Sequence, residues 1–249
     1  MRESFLGYDL VSLSVRDSVA AICSDIFGGD VKRKWLACLN PHSYVVALDD
    51  QLFFDALHSA DYLVPDGVGV VKGARFLGGS VLERITGSDI FYGIHEYMDK
   101  MGGARVFFLG ASESTLADIK KFMARDYPNI VVAGTYSPPF KPVYNRDELA
   151  EMIGVINDSN ADVLWVGMTA PKQEKWIYEN ISKLDVKFAG AIGAVFDFYT
   201  GRVKRSHPLF QKFGLEWLPR LLQQPKRLWR RMFISAPIFC AHVFRARFF

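Results

Sequence analysis

Asp66 has the residue type and the setting of a general base: it follows the apolar run Tyr62-Leu63-Val64 and stands in Pro65-Asp66-Gly67-Val68-Gly69. A carboxylate on a glycine-flanked bend can take a proton from a bound hydroxyl, because the glycines let a ligand come close to the backbone. The same Pro-Asp-Gly letters also make an ordinary turn. Asn40, between Leu39 and Pro41, can hydrogen-bond a substrate hydroxyl or amide, or simply form a turn before proline. Arg84 stands just ahead of Thr86-Gly87-Ser88-Asp89, where Ser88 is the predicted helix N-cap. Its planar fork can grip a phosphate while the helix N-terminus offers unpaired N–H groups; a surface pairing with Glu83 is the plainer role.

Gly110, in Phe108-Leu109-Gly110-Ala111-Ser112, marks a strand-to-helix turn of the kind that receives nucleotides. It supplies one glycine where the dinucleotide fingerprint needs three, which argues against NAD. In Met168-Thr169-Ala170-Pro171-Lys172-Gln173-Glu174, Pro171 suits the first position of a helix. Lys172 and Gln173 would then face a ligand at a helix end that favours negative charge, or else form a solvated first turn. Asp197, after a run of small residues, reads as a structural cap.

The elements that must position these residues alternate. Apolar runs bounded by turn residues occur at WLACLN, DYLVPDG, RVFFLGAS, IVVAGTY, ADVLWVGM and KFAGAIGAVFDF. Each is short enough to be a buried strand. Helical patterns lie at 89–101, 114–127, 147–158 and 171–182. Strand and helix in alternation predict an α/β fold with a parallel sheet covered by helices on both faces. In such sheets ligands bind at the carboxyl ends of the strands, which is where the residues above fall. The three cysteines, Cys23, Cys38 and Cys240, lack metal or redox spacing and suit a reducing cytosol.

Charge divides the chain. Residues 201–249 carry eleven Lys and Arg against one acid, Glu216, whereas residues 1–200 carry nineteen against twenty-six. A basic tail on an acidic body predicts an anionic partner, a nucleic acid or a phospholipid surface. The tail's apolar residues favour the membrane. Leu215, Leu218, Leu221 and Leu222 recur at helical spacing, and beyond Pro225 the pairs Leu228/Trp229 and Met232/Phe233 alternate with Lys226/Arg227 and Arg230/Arg231. That is the pattern of a cationic helix lying in a bilayer interface. The stretch at 233–244 is apolar, broken by Pro237, and shorter than the roughly twenty residues that span a bilayer, so it is expected to dip into one leaflet. The organisation expected is a catalytic domain over 1–205 and a basic membrane appendage over 206–249, at the cytoplasmic membrane face, peripheral or monotopic.

Taken in order, NP, PDGVGVV, ERITGSD, FFLGAS, GMTAPKQEKW, GAVFDFYTG and GLEWLPRLLQQPKRLWRR resemble the WecG/TagA/CpsF glycosyltransferase family over roughly residues 35–231. The resemblance implies a Rossmann-like, largely parallel catalytic domain of the GT-E type with a C-terminal membrane-targeting appendage, and transfer of a sugar, with inversion, from a UDP-sugar to a polyprenyl-diphosphate-linked saccharide. Such enzymes build teichoic acid linkage units, common antigen, capsules and exopolysaccharides. Asp66 matches the family's proposed base, Asn40 a substrate-contacting residue, and Arg84 and Gln173 further active-site positions. Family members often carry Thr two residues before the Asn, where this chain has Cys38, a poorer hydrogen-bonding group.

The expected mechanism is a direct displacement in which Asp66 takes the acceptor's proton as UDP leaves from the opposite face. The chain has no Asp-x-Asp triplet, so no metal or cofactor is expected; Arg84, helix N-termini and the tail arginines Arg220, Arg227, Arg230 and Arg231 would meet the diphosphates. A nucleotide-sugar epimerase or dehydrogenase is the alternative, but it should show GxGxxG and Tyr-x-x-x-Lys, and neither occurs. A non-enzymatic membrane adaptor would explain the tail without the polar strand ends. No nucleic-acid partner is expected; the donor sugar, acceptor, lipid length and homo-oligomer formation stay open.

Overall fold

The computed structural model describes residues 2–29, 33–203 and 225–248. The expected boundary at 205/206, Arg220 and the leucines at 215–222 lie outside the described residues, as does the side chain of Arg227. The chain opens with the antiparallel hairpin β1 (Arg2–Phe5) and β2 (Tyr8–Val11), followed by α1 (Val15–Phe27). Six strands then form one sheet: β3 (Lys34–Leu39), β4 (Tyr62–Pro65), β5 (Arg105–Gly110), β6 (Val131–Tyr136), β7 (Val163–Gly167) and β8 (Phe188–Ala191). They lie in the order β4-β3-β8-β7-β5-β6, and every pairing is parallel.

Each predicted apolar run becomes one of these strands, with one correction. The run KFAGAIGAVFDF is extended only as far as Ala191; Val195–Tyr199 is the short helix α9. Gly193, at φ +57, takes the chain out of the extended region, and Val195, Phe196 and Tyr199 are then buried at helical rather than alternating spacing.

Helices cover both faces of the sheet. Alternation along β5 shows how: Val106 and Phe108 point into one core with α1, α5 (Gly87–Met101), α6 (Glu113–Asp126) and α9, while Phe107 and Leu109 point into the other. The second core is shared with α2 (Pro41–Leu48), α3 (Gln51–Ser59), α4 (Val68–Phe76), α7 (Arg146–Asp158) and α8 (Lys172–Asn180). Both strand faces being buried accounts for the near-continuous apolar lettering of the strands. In the first core Trp165 Nε1 donates to His95 Nε2 at 3.2 Å, and burial pushes the His95 pKa down to about 3, so the imidazole is held neutral.

The C-terminal described segment is helical throughout: α10 (Pro225–Arg230), a π-helical turn at Arg231–Ser235, and α11 (Ala236–Phe248). The expected break at Pro237 does not occur. Proline lacks an N–H and its ring crowds the carbonyl four residues back, and the widened π turn just ahead of it accommodates both. This helix packs on α2 and α4, burying Phe239 and Val243; the Phe239 ring centroid lies 6.0 Å from that of Phe5 and 5.5 Å from that of Tyr44. Among the described residues no helix is long and apolar enough to cross a membrane.

Two glycines test the core. A Cβ at Gly190 in β8 would fall 2.3 Å from Trp165 Cζ3, whereas one at Gly154 in α7 would meet nothing within 4 Å. Gly190→Ala should therefore cost about 2 kcal/mol or more by overpacking, and Gly154→Ala should stabilise by up to about 1 kcal/mol through helix propensity. Thermal unfolding of the two variants checks both signs.

Candidate active site

The carboxyl ends of all six parallel strands open into one cleft of about 1700 Å³, with walls that include Cys38, Asn40, Asp66, Gly110, Gln173 and Arg231. The ends of β3 and β4 are joined by their backbones: the Asp66 N–H donates to the Leu39 carbonyl at 2.8 Å, which sets Asp66 beside Asn40. Gly67 follows at φ +106, a conformation that favours glycine, so the chain turns sharply into α4 and leaves Asp66 half-buried on the cleft wall.

Asn40 is the N-cap of α2. Its Oδ1 accepts from the His42 and Ser43 N–H groups, each at 3.0 Å, and the Ser43 hydroxyl accepts from the Asn40 N–H at 2.7 Å. The turn-forming role is thus the one observed, made by the oxygen, and the amide NH2 is the end left to serve a ligand. Cys38 lies behind the pair. Burial first, then the charges of Asp66 and Glu174, push its thiol well above its ordinary range, against a hydrogen bond from the Gly87 N–H, so it stays an S–H group.

Gly87 begins α5, and the cap of that helix is Thr86, not Ser88 as its lettering suggests. Thr86 Oγ1 accepts from the Asp89 N–H at 3.2 Å and Asp89 Oδ2 accepts from the Thr86 N–H at 2.8 Å, while Ser88 is buried inside the first turn. Arg84 is brought near by the Ile85 N–H, which donates to the Pro65 carbonyl at 3.1 Å; its half-buried side chain is not among those lining the cleft.

Gly110 closes β5 at φ +105, where a Cβ would fall 2.7 Å from the Gly167 carbonyl oxygen, so the two strand ends can approach only because that side chain is missing. Across from it, Ala170–Pro171 is a cis bond and Pro171 is the N-cap of α8 rather than its first residue. Lys172 is engaged with the wall at 137–144: Nζ donates to Tyr144 Oη at 2.8 Å and to the Lys141 carbonyl, and sits 3.9 Å from the Tyr144 ring centroid. Partial burial and the charge of Lys141 lower its pKa.

Gln173 and Glu174 are each only 3 % exposed. The Gly193 N–H donates to Gln173 Oε1 at 3.0 Å, and Gln173 Nε2 donates to Glu174 Oε1 at 2.9 Å. Burial pushes the Glu174 carboxyl up to about 7. Glu174 was not singled out by sequence reasoning; its letter sits beside Gln173 in Lys-Gln-Glu-Lys, and nothing local marks it as buried.

Arg231, on the π turn, reaches the cleft wall, whereas Arg230 is exposed and outside it. Two bonds to α2 hold this helix in place: His42 Nδ1 and Ser235 Oγ are 2.9 Å apart, and Tyr44 Oη and His242 Nδ1 are 2.8 Å apart. Burial first, then Arg231 and Arg230, lower the His42 pKa to about 4, so its ring is neutral at that contact. Among the described residues no group of three or more His, Cys, Asp or Glu side chains could hold a metal ion.

A doubly covered parallel sheet with a carboxylate and an amide at neighbouring strand ends is an α/β framework of the kind that receives its ligands in the crevice over the strand tips. The chain belongs to the WecG/TagA/CpsF family of glycosyl transferases, whose model matches residues 3–249, including the N-terminal hairpin and the C-terminal helix. It is 34% identical over 214 residues, 86% of this chain and 80% of the relative, to the N-acetylglucosaminyldiphosphoundecaprenol N-acetyl-beta-D-mannosaminyltransferase of Bacillus spizizenii. The enzyme of the same description from Bacillus subtilis is 31% identical over 210 residues, 84% of this chain and 78% of the relative.

The two ends of the Asn40 amide can be separated. Serine caps a helix about as well as asparagine but has no NH2 to offer a ligand. Asn40→Ser should keep the thermal midpoint close to wild type and lower glycosyl transfer by roughly tenfold or more; Asn40→Ala should lose about 1 kcal/mol of stability as well.

Proposed function

We propose that this protein transfers a sugar from a UDP-sugar, with inversion and without a metal, to a saccharide carried on a polyprenyl diphosphate at the cytoplasmic membrane face. The observation that carries this reading is Asp66: a carboxylate on a glycine-permitted bend, bonded through its backbone to β3, facing a cleft formed by all six strand ends. An acceptor hydroxyl presented to Asp66 loses its proton as its oxygen attacks the anomeric carbon of the donor. Departure of UDP on the opposite side gives inversion in one displacement. The names of the two Bacillus relatives supply the acceptor class, an N-acetylglucosamine on a diphospho-undecaprenol, and make N-acetylmannosamine the first donor to test.

Charge on the departing diphosphate needs stabilisation. In this reading it comes from the N-termini of α5, α6 and α8 and from Arg231, with Arg84, held beside the end of β4, as a second cation. Gly110, Lys172 and Gln173 shape the donor side of the cleft. Arg220, Arg227 and Arg230 are assigned to the acceptor's diphosphate and to anionic headgroups.

The C-terminal helix is proposed to rest on the bilayer. Its outward residues Trp229, Phe233, Phe244 and Phe248 are 48, 66, 58 and 67 % exposed, with Arg245 and Arg247 beside them. An apolar row edged with cations suits a headgroup interface. The helix's other face is packed on the protein, so it would lie on the membrane as part of the enzyme's own surface.

Purified protein incubated with UDP-N-acetylmannosamine, other UDP-sugars and a short-chain lipid-diphosphate N-acetylglucosamine should give one product, identified by mass, whose rate EDTA leaves unchanged. Asp66→Asn should lower turnover by about 10²- to 10⁴-fold while UDP still raises the thermal midpoint. Retained turnover would remove Asp66 from the mechanism, and an EDTA-sensitive rate restored by Mg²⁺ would overturn metal independence. For the membrane contact, Trp229→Ala combined with Phe233→Ala should abolish sedimentation with phosphatidylglycerol vesicles and leave the thermal midpoint unchanged, because both side chains are exposed.

A further inference from the structure

Glu174 has no part in the displacement described above, yet it is the most deeply buried acid on the cleft wall, 3 % exposed. One carboxyl oxygen accepts from Gln173 Nε2, and Oε2 has no hydrogen-bond partner. A buried carboxylate whose donors are only the neutral Gln173 amide and its own N–H would be poorly compensated, whereas the protonated acid carries no charge to compensate.

The groups on the elements packed around α8 do not supply a compensating charge. From α3, Asp50 is paired with Lys175, Asp55 accepts from Gln51, and His58 meets the Phe54 and Gly7 carbonyls. Beyond the helix, Lys183 bonds to Asn180, and β8 carries no charged residue. Toward the floor stand the Cys38 thiol, the Asp66 carboxylate and Asp89, the last engaged in the α5 cap. Arg231 is the cation that the C-terminal helix brings to the cleft.

We propose that Glu174 is a positioning residue that must be a neutral acid for the donor to bind: protonated, it holds Gln173 against the Gly193 turn and adds no charge to Asp66 and the cap-engaged Asp89 on the floor where a nucleotide diphosphate approaches. Ionisation would add a further negative charge beside that path and would weaken binding of an anionic donor by Coulomb repulsion in a poorly hydrated site. The proposal rests on the reading of the cleft as a nucleotide-sugar site. It also accounts for an acid, rather than an apolar residue, next to Gln173: the carboxyl oxygen is the acceptor that fixes the Gln173 amide.

Glu174 is neutral below its raised pKa of about 7 and ionises above it, so kcat/KM for the UDP-sugar should fall on the alkaline side. The loss should approach tenfold per pH unit from about pH 7 upward. Glu174→Gln keeps the shape and the contact to Gln173 but cannot ionise; its kcat/KM should stay within about twofold of the acid-limb maximum of the wild type across the same range. An unchanged alkaline limb in Glu174→Gln would overturn the proposal, and so would a folded, UDP-binding variant that is inactive at every pH.

A measurement on the wild type decides the matter should the variant fail to fold. UDP binding followed by calorimetry at about pH 8, in buffers of differing ionisation heat, should take up close to one proton, since binding favours the protonated acid. No uptake would overturn the proposal. Absence of any transfer by the wild type, or of any UDP binding, would instead strike the functional reading itself.

Discussion

The hydrogen bond from the Asp66 N–H to the Leu39 carbonyl is the constraint on which the site depends. It carries the β3–β4 ladder one residue past the last strand residue of β4, so two turns that diverge into different helices start from a common, rigid point. From there Asn40 enters α2 through its own cap and Asp66 enters α4 through a left-handed glycine. Neither side chain is positioned by a flexible loop. The 2.8 Å bond ties the relative placement of base and amide to the register of the sheet, and the register is fixed by buried side chains on both faces.

Electrostatics around this point are arranged by burial more than by ion pairs. The Cys38 thiol, the Glu174 carboxyl and the His42 ring are each displaced toward their neutral forms, with desolvation the first cause in every case. Their neutrality keeps three buried groups from adding to the charges at this end of the cleft, among which are the half-exposed Asp66 and the arginine of the π turn. A site that must receive an anionic leaving group beside an anionic base benefits from such economy of charge. A further cation of the wall, Lys172, is engaged with Tyr144 and Lys141, so its charge acts at the far side, by the 137–144 segment.

How much of this was legible beforehand depends on the range of the interactions involved. The six strands were legible because each is a short apolar run closed by glycine, proline or a small polar residue, which is local information. The residues at their tips followed from the rule for parallel sheets, and Asp66, Asn40, Gly110, Lys172 and Gln173 all lie on the cleft wall. Local lettering failed where two residues compete for one role, as with Thr86 and Ser88: either could cap, and the reciprocal bonds of Asp89 decide for Thr86. It failed again for KFAGAIGAVFDF, where apolar lettering continues through a change from strand to helix. Glu174 was illegible for a different reason, since a charged letter in a helical first turn is usually solvated; its burial comes from α3, the β3 end and the Gly193 turn, remote segments that only the fold brings together.

The π turn at Arg231–Ser235 holds one residue more than a regular helical turn, and it takes up that surplus by widening. Upstream Leu228 and downstream Phe239 and Val243 are buried, while Arg231, the first residue of the turn, meets the cleft and Ser235, the last, bonds to His42. A rod shortened by one residue here could close into a regular helix and keep its packed row on the protein. What the surplus residue alters is therefore local: the reach of the arginine and of the serine, not the course of the helix that carries them.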